Sequence, residues 1–403
     1  MTFGRYDYAA FLSFFAYAAG SVVVPVALVT LAADMGFTLD EGGMTAGGAL
    51  HVARTIPLVG AMLLCGFVAG RWGKRRTIGV SVALMGLGVL LCSLAPTYGV
   101  LFLALMVAGV GEGVVEGLAT PFVQDLHPVE PGRYINFTHS FWCVGVLATV
   151  LLSGWLLSLG VHWRFLVGAV ALLSLFAAAL LLTPPGKGQP CPEHPEPIHW
   201  KTTWGHAKQV IRIPRFWLFF AAMFLAGGGE FCLTFWCASF IQLSFGQTAW
   251  AGGVGTACFA GGMVLGRTGW GYLIRQHQLK HLIVCSALAG TAITLLLPIV
   301  TGLWTLFGLL FVSGIATAPF WPSVQSYCDD CLPETDSTML FILLSCAGVP
   351  GCGFFTLLMG YLGDRLGDLR LAFYLVPACF LALAALIAGD WWLAARRSST
   401  EKA

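Results

Sequence analysis

Glu112 and Glu116 stand one helical turn apart in GVGEGVVEGLATPFVQDLHP, residues 109–128, within a stretch otherwise apolar enough to cross a bilayer. A carboxylate at membrane depth costs about 2.5–3.5 kcal/mol on insertion scales, so it marks a site of use. An i, i+4 pair brings the two side chains to about 6 Å, where two charges repel by roughly 3 kcal/mol at an effective dielectric near 20. At most one is expected to be ionised at neutral pH. Such a pair can take up a proton on one side of a membrane and release it on the other if access alternates. The competing structural reading is a protonated glutamate bonded to a neighbouring helix as glue. Glu230 is a third acid in an apolar segment.

The elements that carry these acids follow from composition. Of 403 residues, 58% are hydrophobic and 10% charged, more apolar surface than a soluble domain of this size can hide. Runs of about 20 apolar residues recur, each long enough to span roughly 30 Å of hydrocarbon as a helix. The spacing predicts spans at 8–33, 44–70, 77–95, 98–125, 137–160 and 163–183. A second set is predicted at 215–243, 249–274, 281–301, 303–327, 337–362 and 370–394. The expected class is an all-α membrane protein of twelve transmembrane helices in two halves, 1–184 and 214–403. The Pro-, His- and Lys-rich break at 185–213 joins them as a cytoplasmic linker, and Lys201–Ile213 is expected to form a short helix on the membrane surface.

Placing the N-terminus in the cytoplasm puts most Lys and Arg inside, including Arg71, Lys74, Arg75, Arg76 and Arg215, and leaves Arg164, Arg365 and Arg370 outside. Both termini are therefore expected in the cytoplasm, with an uncleaved first helix in a bacterial inner membrane. The Asn136–Thr138 sequon then falls on the cytoplasmic side, where it is not glycosylated. A net charge of +2 gives no reason to invoke nucleic acid. Most of the thirteen cysteines lie within apolar segments as small hydrophobes, and one Cys328-x-x-Cys331 pair is a weak metal or redox signal. His194, His199 and His206 are expected to be solvated. Arg54 is either a gate at the outer entrance or a headgroup anchor. Gly109, Gly113 and Gly117, four apart, would let another helix pack closely.

Gly66-Phe67-Val68-Ala69-Gly70-Arg71-Trp72-Gly73-Lys74-Arg75-Arg76 resembles the G-x-x-x-D-R-x-G-R-R loop of the major facilitator superfamily, with Gly70 in place of the acid. The resemblance implies a cytoplasmic gating motif of Gly66, Gly70, Arg71, Gly73 and Arg75, whose basic residues contact helix ends and lipid headgroups. Pro121-Phe122-Val123-Gln124 and Pro322-Ser323-Val324-Gln325 recur at the same ordinal helix of each half, as an internally repeated transporter fold predicts.

Asn136-x-x-His139-x-Phe141-x-x-x-Gly145, Glu230-x5-Trp236, Gly266-Arg267-x-x-x-Gly271 and Glu116 followed by Pro121 are similar to the fucose/hexose-type proton symporters of that superfamily. This likeness implies that Glu116 binds and releases the coupling proton and that His139 and Trp142 lie near the substrate. The acid this family carries on its first helix would fall at Ser21, four residues before Pro25, and is missing. Fucose is thus less expected than another sugar or small polyol. Sugars stack their ring faces on aromatics while their hydroxyls bond to polar side chains. Candidate stacking residues are Trp142, Trp236 and Trp321, and candidate hydroxyl partners are Gln242, Gln325 and His139. Core packing or an interfacial belt competes for each tryptophan.

The expected function is a secondary active transporter importing a sugar or related polar solute by proton symport, with Glu116, Glu112 and Glu230 as proton-coupling candidates. An exporter of a drug or metabolite, a uniporter and a sodium symporter are the alternatives within the fold, and a non-transporting receptor stands outside it. No nucleotide-binding loop or H-E-x-x-H occurs, and the acidic loop of Asp329, Asp330, Glu334 and Asp336 shows no metal-ligand spacing, so neither ATP nor an enzymatic reaction is expected. No cofactor is expected beyond a proton, or sodium, as coupling ion. The expected partners are the solute and membrane lipid, and the expected state is a monomer.

Overall fold

A computed structural model describes residues 3–128, 131–186, 191 and 200–400. His194 and His199 lie outside the described residues, as does most of the 185–199 stretch. The first six helices are α1 (Arg5–Asp34), α2 (Met44–Trp72), α3 (Lys74–Leu94), α4 (Tyr98–Leu126), α5 (Pro131–Ser158) and α6 (Trp163–Leu182). A short helix, α7 (Trp200–Ile211), matches the expected surface helix. The remainder are α8 (Pro214–Ser244), α9 (Ala249–Leu273), α10 (Leu279–Thr294), α11 (Leu303–Thr317), α12 (Phe320–Cys331), α13 (Ser337–Leu366), α14 (Leu369–Ala372) and α15 (Leu375–Thr400). Among the described residues, 11 helical stretches are long and apolar enough to cross a membrane, which makes this an integral membrane protein.

Three expected spans differ in detail. The ninth, 281–301, is helical only through α10 and continues as turns, which is why a twelfth crossing helix falls short on length alone. The tenth divides into α11 and α12 around Ala318-Pro319, because Pro319 has no amide hydrogen to continue the ladder. The last divides into α14 and α15.

Helices α1–α6 pack into one bundle and α8–α15 into another, with α2 lying along α13 and α5 along α9 between them. Both seams depend on glycine. At Gly48 a methyl group would come within 2.6 Å of the Thr356 carbonyl, and at Gly154 within 2.8 Å of the Ala249 carbonyl. Hydrogen bonds join the bundles at the end that carries the 35–43 turn. There the Asp364 carboxylate accepts from the amides of Met44 and Thr45, and the amide of Trp250 donates to Ser158 Oγ at 2.8 Å.

The opposite end carries the basic loop. Gly73, between α2 and α3, has φ of +82°, a left-handed conformation that any side chain would strain. Arg75, 2% exposed, donates to the carbonyl of Leu181 at 2.6 Å, and Arg5 donates to that of Leu180 at 2.8 Å. Two cations thus sit on the last turn of α6, where orphan carbonyls and the helix dipole favour them. Arg71 is exposed, and Lys74 pairs with Asp125 at 2.7 Å.

Candidate functional site

Between the bundles lies a cavity of about 330 Å³. Three helices of the first bundle, α1, α2 and α4, deliver Tyr17, Arg54 and Glu116 to it, and α5 adds His139 and Trp142. Across from them α8 delivers Glu230 and α9 Arg267, while Trp321 and Gln325 come from α12, just past the Ala318-Pro319 break. A broken helix beside a cavity is where irregular backbone at membrane depth is tolerated. His51, at the 35–43 end of the cavity, is 4% exposed, whereas His139, nearer Gly73, is exposed. The chamber is sealed at the former end and open toward the latter.

Helix α4 meets α2 through its glycine stripe. A methyl group at Gly109 would collide with the Arg54 carbonyl, at Gly113 with the Leu58 carbonyl, and at Gly117 it would lie 2.7 Å from Cys65 Sγ. The expected close-packing partner of the stripe is therefore α2. This contact brings Arg54 level with Glu112: its Nε donates to Glu112 Oε2 at 2.5 Å, with both side chains buried. Arg54 is thus an interior residue of the cavity wall. The other carboxylate oxygen of Glu112 is buried without a partner.

A second ion pair faces the first. Arg267 donates to Glu230 Oε1 at 3.3 Å, and its guanidinium lies 6.0 Å from the Trp142 ring centre. Glu116 is placed differently. Among the described residues no arginine or lysine forms an ion pair with it, and the Tyr17 hydroxyl lies beside its carboxylate. Around it, His139 Nε2 shares a 2.8 Å hydrogen bond with Thr120 Oγ1, and Gln325 Nε2 donates to Ser345 Oγ at 3.2 Å.

The cavity brings together six of the nine residues expected to carry proton or solute: Glu116, Glu230, His139, Trp142, Trp321 and Gln325. Glu112 lies behind Arg54. Two residues lie elsewhere. Trp236 is fully buried and donates to the Thr356 carbonyl at 3.0 Å, packed against Gly47 and Gly360 in the sealed seam. Gln242 turns back to the Ala238 carbonyl of its own helix at 3.1 Å. Both sit on α8, nearly two and just over three turns beyond Glu230 toward the sealed end, so their distance along the helix carries them past the chamber. Sequence reasoning missed Tyr17 and left Arg54 and Arg267 outside the solute set. The signal for the arginines was present, since an ionisable residue inside an apolar span is a site candidate by default. The first-helix position Ser21 lines the cavity with its hydroxyl bonded to the Ala18 carbonyl, and it offers no acid.

Among curated relatives, a "Multidrug resistance protein B homolog" of Mycobacterium tuberculosis is 32% identical over 165 residues, 40% of this chain and 29% of that protein. The chain thus spans under a third of that relative's length. The solved nucleoside transporter NupG superposes with a TM-score of 0.75 at 16% identity, over 96% of this chain and 98% of that one. The fucose:proton symporter of E. coli superposes with a TM-score of 0.61 at 17% identity, over 95% and 97%. At such identities the likeness is one of fold. The model of one transporter family matches residues 9–338 and 243–402, and the chain belongs to that family, the Major Facilitator Superfamily.

Proposed function

We propose that this transporter couples the uptake of a neutral, polyhydroxylated solute of sugar size to the entry of a proton, with Glu116 as the proton carrier. The observation that carries this reading is charge balance. Arg54 is matched by Glu112 and Arg267 by Glu230, so among the described residues Glu116 is the cavity carboxylate that forms no ion pair. A proton on Glu116 and a neutral solute leave the chamber electrically balanced, whereas a charged solute adds an uncompensated charge in a low-dielectric site. Trp142 and Trp321 offer ring faces, and His139, Gln325 and Ser345 offer hydroxyl partners, on both sides of the gap.

With both termini in the cytoplasm, as the distribution of Lys and Arg supports, the sealed 35–43 end faces outward and the chamber opens inward. The two bundles rocking about the site would expose it alternately. The test is uptake of labelled hexoses, deoxyhexoses, polyols and nucleosides into proteoliposomes with an imposed pH gradient. Accumulation of one such solute against its gradient supports the reading; none accumulating overturns it. The drug-resistance relative favours a second reading, proton-driven export. It predicts that the same vesicles move a lipophilic dye and no sugar.

A further inference from the structure

Glu112 has no role in the account above, and its surroundings assign one. The carboxylates of Glu112 and Glu116 project from successive turns of α4, and Arg54 on α2 lines the same chamber as Glu116. The backbones of α2 and α4 touch at Gly109 and Gly113, which keeps Arg54 beside α4. The carboxylates nearest to it along that helix are Glu112 and, one turn on, Glu116. We propose that Glu112 is a positioning residue that holds Arg54 away from Glu116 and so keeps Glu116 free to bind and release the coupling proton. This inference rests on the reading of Glu116 as proton carrier.

The physical argument is competition for one cation. An arginine beside a carboxylate holds it ionised, and a carboxylate locked in that form carries no proton. The 2.5 Å bond to Glu112 occupies the Arg54 Nε, and burial of both partners strengthens their mutual hold. The other titratable or charged groups around the two acids and Arg54 are Tyr17 from α1, His51 from α2, Cys92 from α3 and His139 from α5, with Glu230, Arg267 and Cys352 across the gap. Of these only Arg267 is a fixed cation; it meets Glu230 at 3.3 Å and its charge also reaches Glu116. Removing Glu112 therefore frees one arginine on the same side of the chamber as Glu116, one turn away.

The test needs no solute. Infrared difference spectra of the purified full-length protein, recorded over a pH series, report protonated carboxyl groups by their C=O stretch. The band lost in Glu116→Gln belongs to Glu116. In Glu112→Gln that band is expected to disappear over the whole series, because Arg54 moves to Glu116. In the double variant Arg54→Gln/Glu112→Gln it is expected to return. A purely structural Glu112 would not give this rescue. The band persisting in Glu112→Gln, or remaining absent in the double variant, overturns the proposal. If Glu116→Gln removes no titrating band, the proton-carrier reading itself fails, a separate outcome. Should Glu112→Gln yield no folded protein, Glu112→Asp carries the test. Its shorter carboxylate is expected to hold Arg54 less well and diminish the Glu116 band at a given pH, and an undiminished band overturns the proposal.

Discussion

Asp364, in the last turn of α13, caps the first turn of α2: its carboxylate accepts from the amides of Met44 at 2.9 Å and Thr45 at 2.7 Å, and from the Thr45 hydroxyl at 2.5 Å. The residue that should cap α2 is Gly43, which has no side chain to do so. The second bundle thus satisfies orphan amides of the first, and opening this end must break the contact. At the other end α13 is capped by its own Asp336, whose carboxylate accepts from Met339, so parting there costs no cap.

Asp364→Ala is therefore expected to favour opening at the 35–43 end. Charge-assisted bonds of this kind contribute about 1.5–3 kcal/mol, or roughly a 10- to 100-fold shift between two conformations. Spin labels at exposed positions 40 and 365 would show a longer-distance population in the variant, and an unchanged distance distribution would contradict the assignment.

Arg75→Ala is expected to destabilise the fold by about 2–3 kcal/mol, since it strips a buried cation from the end of α6. Arg71→Ala, at an exposed position of the same loop, is expected to change stability by less than about 0.5 kcal/mol. Thermal unfolding in detergent separates the two.

Gly113→Leu is expected to prevent the contact of α2 with α4, at a cost of about 3 kcal/mol or more. It should therefore abolish folded protein or sharply lower Tm. Gly99→Ala, where nothing lies within 4 Å of the added methyl group, is expected to be tolerated. Equal yields of the two variants in a size-exclusion assay would refute the packing argument.

The two tryptophans should behave differently. Trp321→Ala removes a ring face from the chamber and is expected to raise KM for the transported solute about tenfold, with a smaller loss of stability than Trp236→Ala because the ring is only partly buried. Trp236→Ala removes a fully buried side chain from the sealed seam and is expected to cost about 3–5 kcal/mol of stability. Paired transport and melting measurements would show the split.

The helix plan was legible because an apolar run of membrane length has few alternatives, but the break at Ala318-Pro319 fell inside an expected continuous span, since Pro25, Pro57, Pro121 and Pro350 lie within unbroken helices and proline alone does not mark a break. The cavity was legible in part. Glu116 stood out because a carboxylate at membrane depth is rare, whereas His139 and Trp142 came from the resemblance to the fucose/hexose-type symporters. Trp236 was misplaced because a sequence does not record how far along a helix the other bundle closes over it. The pairing of Arg54 with Glu112 joins residues 58 positions apart, and no local pattern announces it. Only the glycine stripe hinted that some helix must come close, without saying that α2 does.

Proton coupling in this protein depends on Glu116 in the proposed mechanism. The deciding measurement compares wild type with Glu116→Gln in proteoliposomes, using the solute that wild type accumulates and reading both accumulation under a pH gradient and exchange at equal pH. The expected result is that Glu116→Gln keeps exchange and loses accumulation, because the solute still binds while no proton is carried. Accumulation by Glu116→Gln equal to that of wild type would contradict it.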